Sequence, residues 1–246
     1  MHLMRYFTSL SLFLFFQFSF AQKIDVLFVG NSFIYYWNLP QVVENMANFS
    51  GDSINCKQIT IGGANLKKHW SINSSKSYNI EKYDIAIFND HSTFPLLELD
   101  TCLKYFQFFT SFCHQNSVKP FIYGTWEYTF LEQISRAEDR TTMSILDSIA
   151  TINNASYLPI GNAFEYAKLN YPQLSLFEDD NKHPTPIGTY LAACIIYRSV
   201  LKKTTMGLPR RFSGVDQNGN KIYYIITSKK AAEICQTIAD KIVKIN

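Results

Sequence analysis

The four apolar residues 26–29 pass directly into Gly30, Asn31 and Ser32. Because polar and apolar positions do not alternate, this run predicts a strand that is buried on both faces, as in parallel sheets covered by helices. Gly, Asn and Ser favour a tight turn at the end of that strand. Ligands bind at the carboxyl ends of strands in open α/β sheets. Ser32 is therefore either placed for chemistry or is an ordinary turn residue.

Four further apolar runs predict strands at residues 55–61, 83–88, 120–123 and 157–160. Helices are predicted where apolar residues recur every three or four positions, over residues 39–49, 66–70, 99–114, 136–152, 165–169, 185–201 and 228–243. Residues 204–227 are predicted to hold a turn at 214–219 and a strand at 222–227. The alternation predicts an α/β fold, a three-layer α/β/α sandwich around a mainly parallel five-stranded sheet, as one domain over residues 22–246.

Residues 1–21 have the features of a signal peptide. Arg5 provides the positive charge, residues 10–20 the apolar core, and Ala21 the small residue at a cleavage site. The apolar run is short for a membrane span. We therefore expect an exported protein, periplasmic or secreted after cleavage near Ala21, with no stable membrane insertion. An uncleaved N-terminal anchor is the alternative.

Composition excludes several classes of protein. A hydrophobic content of 47% with 17% charged residues is typical of a globular chain. The net charge is only +3 and the basic residues are scattered, so we expect no nucleic-acid partner. The five Cys are odd in number, and Cys102 and Cys113 would be ~16 Å apart on one helix, too far for a disulfide. No CxxC or His cluster indicates a metal or another cofactor.

Three predicted strand ends and one later loop carry the residue types that acyl transfer needs. Such chemistry uses a hydroxyl nucleophile, an imidazole base, a carboxylate that orients the imidazole, and donors for the oxyanion. The candidates are Ser32, Gly63, Asn89, Asp180 and His183. Gly62 is the alternative to Gly63, or both form only a turn. Asp179 is the alternative to Asp180, and His183 is alternatively a helix-entry residue before Pro184.

These residues resemble the four ordered motif blocks of the SGNH/GDSL hydrolase superfamily: Gly30-Asn31-Ser32-Phe33, Gly63, Asn89, and Asp180 with His183. Residues 62–70 and 183–193 are similar to a GNSF-type branch of secreted members. The resemblance implies a flavodoxin-like fold in which Ser32 is the nucleophile, His183 the base and Asp180 its orienting carboxylate. It implies an oxyanion hole formed by the Ser32 N–H, the Gly63 N–H and the Asn89 side chain. Asn31 replaces the usual Asp, and the Gly usual two residues before Asn89 is missing.

The resemblance implies a serine esterase that acts without a cofactor through an acyl-enzyme. We expect a small-molecule or glycan ester as substrate, with a short acyl group such as an O-acetyl on carbohydrate. The alternatives are an acyltransferase to a sugar hydroxyl and a non-catalytic carbohydrate-binding protein. Trp126 and Tyr128 either line a substrate groove or cap the surface. His69 and His91 are interpreted as turn or helix-surface residues rather than bases or metal ligands.

Overall fold

The computed structural model describes residues 23–72 and 78–245, so the predicted signal peptide at residues 1–21 lies outside the described residues. Five parallel strands form the central sheet in the order β2-β1-β3-β4-β5. They are β1 Ile24–Gly30, β2 Ile54–Thr60, β3 Ile85–Phe88, β4 Lys119–Tyr123 and β5 Ser156–Leu158. The predicted parallel sheet is confirmed, and its strands begin and end within two residues of the predicted bounds.

Ten α-helices surround the sheet in the described part of the chain. They are α1 Ser32–Tyr35, α2 Leu39–Phe49, α3 Leu66–Ile72, α4 Phe94–Leu97, α5 Leu99–Gln115, α6 Thr129–Glu138, α7 Thr142–Ile152, α8 Ile160–Asn170, α9 Pro186–Leu201 and α10 Lys229–Ile242. None of these is long and apolar enough to span a membrane.

The two faces of β1 explain why its sequence does not alternate. Val26 and Phe28 pack in the core shared with α2, α8, α9 and α10, whereas Leu27 and Val29 pack on the opposite face against α5 and α7. All four side chains are at most 1% exposed. The continuous apolar run is therefore the middle layer of the predicted three-layer sandwich.

The predicted helix over residues 136–152 is wrong, because two helices occupy this region. α6 begins already at Thr129, and the chain leaves the helical conformation at Asp139, whose φ is 51°. Thr141 then caps α7 by accepting the Ser144 N–H at 3.1 Å, while Ser144 accepts the Thr141 N–H in return. This reciprocal cap stops the helices from merging although no Gly or Pro separates them.

Two further predicted boundaries need correction. α8 begins at Ile160, where the sequence predicted the end of a strand and a helix only from residue 165. The strand β6, Arg211–Val215, was missed; it pairs antiparallel with β7, Lys221–Ile226. Gly214 thus lies in β6 and not in the predicted turn. A Cβ at Gly214 would overlap the Tyr224 hydroxyl, which explains a glycine inside a strand.

Candidate active site

The turn after β1 places Ser32 at the carboxyl edge of the sheet, as the first residue of α1. Asn31 caps this helix, because its Oδ1 accepts the Phe33 N–H at 3.1 Å. A Cβ on Gly30 would lie 2.8 Å from the Asn89 Cβ, so only glycine allows this close approach between the ends of β1 and β3. Ser32 is 9% exposed.

A hydrogen-bonded chain joins Ser32 to His183 and Asp180. The Ser32 Oγ lies 2.8 Å from the His183 Nε2, and the His183 Nδ1 lies 2.5 Å from the Asp180 Oδ2. Burial raises the pKa of Asp180, but hydrogen bonds from His183 and Lys182 outweigh it and hold the pKa at about 2. An ionised carboxylate only accepts, so the Nδ1 carries the hydrogen and the Nε2 accepts from the Ser32 hydroxyl. Asp179 does not make this contact.

Two tryptophans hold the loop of residues 177–184 on either side of His183. The Trp126 Nε1 donates to the Lys182 carbonyl at 3.0 Å, and the Trp37 Nε1 donates to the Pro184 carbonyl at 3.0 Å. Trp37 adopts a left-handed φ of 50°, which is unusual for a bulky residue. The loop that carries the imidazole is therefore fixed at both of its neighbouring carbonyls.

The imidazole of His183 also packs against two aromatic rings. Tyr36 stacks on it with ring centroids 4.3 Å apart and an interplanar angle of 12°. Phe33 contacts it edge-on at 5.6 Å. Sequence reasoning did not identify Tyr36 or Trp37 as site residues; their only signal is the aromatic run that directly follows the Ser32 turn.

Two of the expected oxyanion donors, Gly63 and Asn89, lie on the loops that follow β2 and β3, the strands on either side of β1. Gly63 has a left-handed φ of 64°, whereas Gly62 does not have a positive φ. Asn89 is fully buried, and its Nδ2 donates one hydrogen to the Thr125 Oγ1 at 3.1 Å. An amide nitrogen carries two hydrogens, so the second one is available for another acceptor. The Asn89 N–H bonds to the Val29 carbonyl at 2.9 Å, so the loop leaves β3 in register without the glycine of the motif.

The predicted substrate contact by Trp126 requires correction. Its side chain is 1% exposed, and its two ring faces are covered by Phe33 at 4.5 Å and Phe164 at 4.2 Å. No face remains on which a sugar could stack. Tyr128 is half-buried at the edge of the site, with its hydroxyl 3.3 Å from the Ser92 Oγ and the Lys182 ammonium 5.2 Å from its ring centroid.

His69 and His91, which do not belong to the hydrogen-bonded chain of Ser32, His183 and Asp180, lie in different surroundings. His69 is fully buried, not on the helix surface as predicted, and its Nε2 donates to the Gly30 carbonyl at 2.8 Å below the Ser32 turn. Burial lowers the pKa of His69. His91 lies in a turn, with its Nδ1 2.8 Å from the Thr93 Oγ1. The described residues contain no group of three or more His, Cys, Asp or Glu side chains that could hold a metal ion.

Solved structures match this fold, although no protein-family model and no curated protein matches the sequence. A protein from Slackia heliotrinireducens assigned to the SGNH hydrolases is 18% identical, with a TM-score of 0.61 over 73% of this chain and 100% of that one. A DUF4886 family protein from Bacteroides uniformis is 16% identical, with a TM-score of 0.68 over 89% and 94%. The acetyl xylan esterase AlAXEase is 15% identical, with a TM-score of 0.60 over 72% and 100%.

The strand order and the crossing helices define a doubly wound α/β protein of the flavodoxin-like kind. Within that class, the chain has the SGNH/GDSL hydrolase fold. This confirms the fold that the order of the motifs implies.

Proposed function

We propose that the protein is an exported serine esterase in which Ser32, His183 and Asp180 form a catalytic triad. The observation that carries this proposal is the continuous chain from the Ser32 Oγ through His183 to Asp180, with contacts of 2.8 and 2.5 Å at the carboxyl edge of the sheet. The role of each group follows from its chemistry: a hydroxyl that attacks, an imidazole that accepts its proton, and a carboxylate that fixes the tautomer.

In the proposed reaction, the Ser32 Oγ attacks the ester carbonyl while the His183 Nε2 takes the hydroxyl proton. The oxyanion of the tetrahedral intermediate accepts from the Ser32 N–H, the Gly63 N–H and the Asn89 side chain. The intermediate collapses as His183 returns the proton to the leaving alcohol, which gives the acyl-enzyme. Water then attacks the acyl-enzyme carbonyl while the His183 Nε2 takes its proton. His183 returns this proton to the Ser32 Oγ as the acid is released. Each oxyanion donor is worth about 10²–10³ in rate.

The proposed substrate is a short-chain ester, with an O-acetyl group on a carbohydrate as the leading candidate. Two observations support it: the fold is shared with an acetyl xylan esterase, and residues 1–21 have the pattern of an export signal. The half-buried Tyr128 at the edge of the site is the candidate sugar contact.

The test uses the chain from residue 22 onward, with Ser32→Ala as its matched control. We expect the wild type to release 4-nitrophenol from acetyl and longer acyl esters, fastest from the shortest, and free acetate from acetylated xylan. Assays with added sugar acceptors separate hydrolysis from acyl transfer by their products. Equal inactivity of wild type and Ser32→Ala across all these esters would contradict the proposal.

A further inference from the structure

The side chain of Asn31, directly before Ser32, uses its whole amide group. Its Oδ1 accepts the Phe33 N–H at 3.1 Å as the cap of α1. Its Nδ2 donates to two backbone carbonyls, those of Ala64 and Asp90, each at 3.1 Å. Asn31 is 4% exposed, so bulk water does not compete for these three hydrogen bonds.

The two carbonyls belong to two different loops, which follow β2 and β3. Ala64 comes directly after Gly63, and Asp90 comes directly after Asn89, so each carbonyl adjoins one proposed oxyanion donor. The Asp90 Oδ1 adds a second link between these loops, because it accepts the Leu66 N–H at 2.8 Å. One buried amide thus connects the turn of the nucleophile to both loops.

Packing alone does not hold Gly63 in place. A Cβ on Gly63 would meet no atom within 4 Å, and its φ of 64° is one of several conformations open to glycine. Gly63 lies in a turn that the Ala64 N–H closes by donating to the Ile61 carbonyl at 3.1 Å. The residues that follow it, Ala64 and Leu66, are 2% and 0% exposed. Asn31 and Asp90 supply hydrogen bonds at those two residues.

No smaller or charged side chain can replace these three hydrogen bonds together. A carboxylate at position 31 would still accept the Phe33 N–H, but it has no hydrogen to donate and would face two carbonyl oxygens. A serine would still cap α1, since serine is a preferred capping residue. Its hydroxyl has a single hydrogen and a shorter reach. The two substitutions therefore separate the cap from the links to the loops.

We propose that Asn31 is a positioning residue whose amide holds the Gly63 N–H and the Asn89 side chain where the oxyanion develops. This inference rests on the proposed esterase function. If the donors are displaced, the substrate ground state binds as before and the tetrahedral state binds less well. The expected loss is that of one oxyanion donor, about 10²–10³-fold in kcat.

The test compares Asn31→Asp and Asn31→Ser with the wild type. We expect both variants to lower kcat on 4-nitrophenyl acetate about 10²–10³-fold, with little change in KM. Phenylboronic acid, which forms a tetrahedral adduct with a reactive serine, should inhibit both variants more weakly by a similar factor. Asn153→Asp is the matched control, because the Asn153 amide donates to the Ile149 carbonyl at 2.8 Å at the opposite end of the sheet.

Wild-type kcat and boronate inhibition in both Asn31 variants would overturn the inference. An activity loss that only follows the folded fraction measured by circular dichroism, with unchanged boronate affinity, would also overturn it, since that is the result of a merely structural role. If Asn31→Asp does not fold, Asn31→Ser decides, because it keeps the helix cap. A wild type as inert as Ser32→Ala rejects the proposed function, whereas an active wild type with unimpaired Asn31 variants rejects this inference alone.

Discussion

The carboxylate of Asp180 has two tasks in one short loop. Its Oδ2 contacts the His183 Nδ1, while its Oδ1 accepts the backbone N–H groups of Lys182 and His183, each at 2.9 Å. The same side chain therefore shapes the loop and orients the imidazole. Because Asp180 and His183 are three residues apart, one short loop carries both of them.

Replacing Asp180 by Asn is expected to lower kcat by about 10⁴-fold with a small effect on KM. The amide can donate to the His183 Nδ1, which moves the hydrogen to the Nε2 and leaves no acceptor for the Ser32 hydroxyl. Steady-state kinetics on 4-nitrophenyl acetate measures this. Asp179→Asn, at the exposed neighbouring position, is the matched control and should keep wild-type kcat. Equal kinetics for the two variants would contradict the assigned roles.

Burial raises the pKa of Asp90 from its ordinary value of 3.8 to about 6, although hydrogen bonds from Leu66 and His91 act against this. Between these values the folded protein binds a proton that the unfolded chain has released. The unfolding free energy contributed by Asp90 therefore falls as the pH rises from about 4 to 6. A difference of about two pH units corresponds to about 3 kcal/mol.

Asn at position 90 cannot titrate. The unfolding free energy of Asp90→Asn relative to wild type should therefore increase by about 2–3 kcal/mol as the pH rises from about 4 to about 7. His69, whose pKa burial lowers, changes stability in the opposite direction. Its contribution is common to both proteins and cancels in the difference. Urea unfolding over this pH range measures the difference. A value that stays constant with pH would contradict the raised pKa.

Side chains within the local motifs could be predicted from sequence, but side chains that contact distant loops could not. Ser32, Asp180 and His183 lie at recognisable spacings and turns. For Trp126 the sequence leaves a groove position and a surface cap open, because only its place after a strand is visible. Its burial between Phe33 and Phe164 depends on packing. The two carbonyls bonded by the Asn31 amide also become neighbours only in the folded chain.

At the scale of elements, the loop of residues 177–184 depends on two indole N–H groups for its position. Trp126→Phe keeps an aromatic ring in the stack but removes the hydrogen bond to the Lys182 carbonyl. We expect kcat to fall about fivefold, because a hydrogen bond is worth about 1 kcal/mol. Trp70→Phe, in an aromatic cluster with Phe109 on the other face of the sheet, is the control.

Both variants should lose some unfolding free energy, since each removes buried aromatic surface. Only Trp126→Phe should also lose kcat after the two proteins are compared at the same folded fraction. Parallel kinetics and denaturant unfolding provide the two readouts. A kcat loss of the same size in Trp70→Phe would show that general stability, and not the position of the loop, sets the rate.

The long periodic elements were predicted well, and the errors lie where tertiary contacts set a boundary. α5 and α10 match their apolar patterns, and Ser228 caps α10 as expected by accepting the Ala231 N–H at 3.1 Å. The break between α6 and α7 was missed, because Thr141 with Ser144 three residues later lacks the Glu or Gln that marks a capping box in a sequence. β6 is short and contains a glycine, so its pattern alone does not indicate a strand.

At the scale of the whole molecule, the strand order explains why residues far apart in sequence meet. β1 lies between β2 and β3, so the loops that follow these three strands share one edge of the sheet. They carry Ser32, Gly63 and Asn89. The order reverses at β1, and doubly wound folds bind their ligands in the crevice at this point. The apolar run at residues 26–29 therefore lies in the middle of the core and leads into the candidate site.

The five cysteines belong to the core of the molecule and not to a covalent framework. All five are buried and free. We expect thiol titration with Ellman's reagent to find few or no reactive groups in the native protein and five after unfolding in guanidinium. A reducing agent should leave the thermal midpoint unchanged. Fewer than five thiols in the unfolded, unreduced protein would contradict this, because it would reveal a disulfide.

The most direct test of the central claim is covalent labelling of Ser32 by a fluorophosphonate, read by intact mass and peptide mapping. The account predicts one adduct per chain, located on Ser32, which forms much more slowly in His183→Ala and is absent in Ser32→Ala. A wild type that resists the reagent, or a Ser32→Ala variant that is labelled as fast as the wild type, would contradict the role of Ser32 as an activated nucleophile.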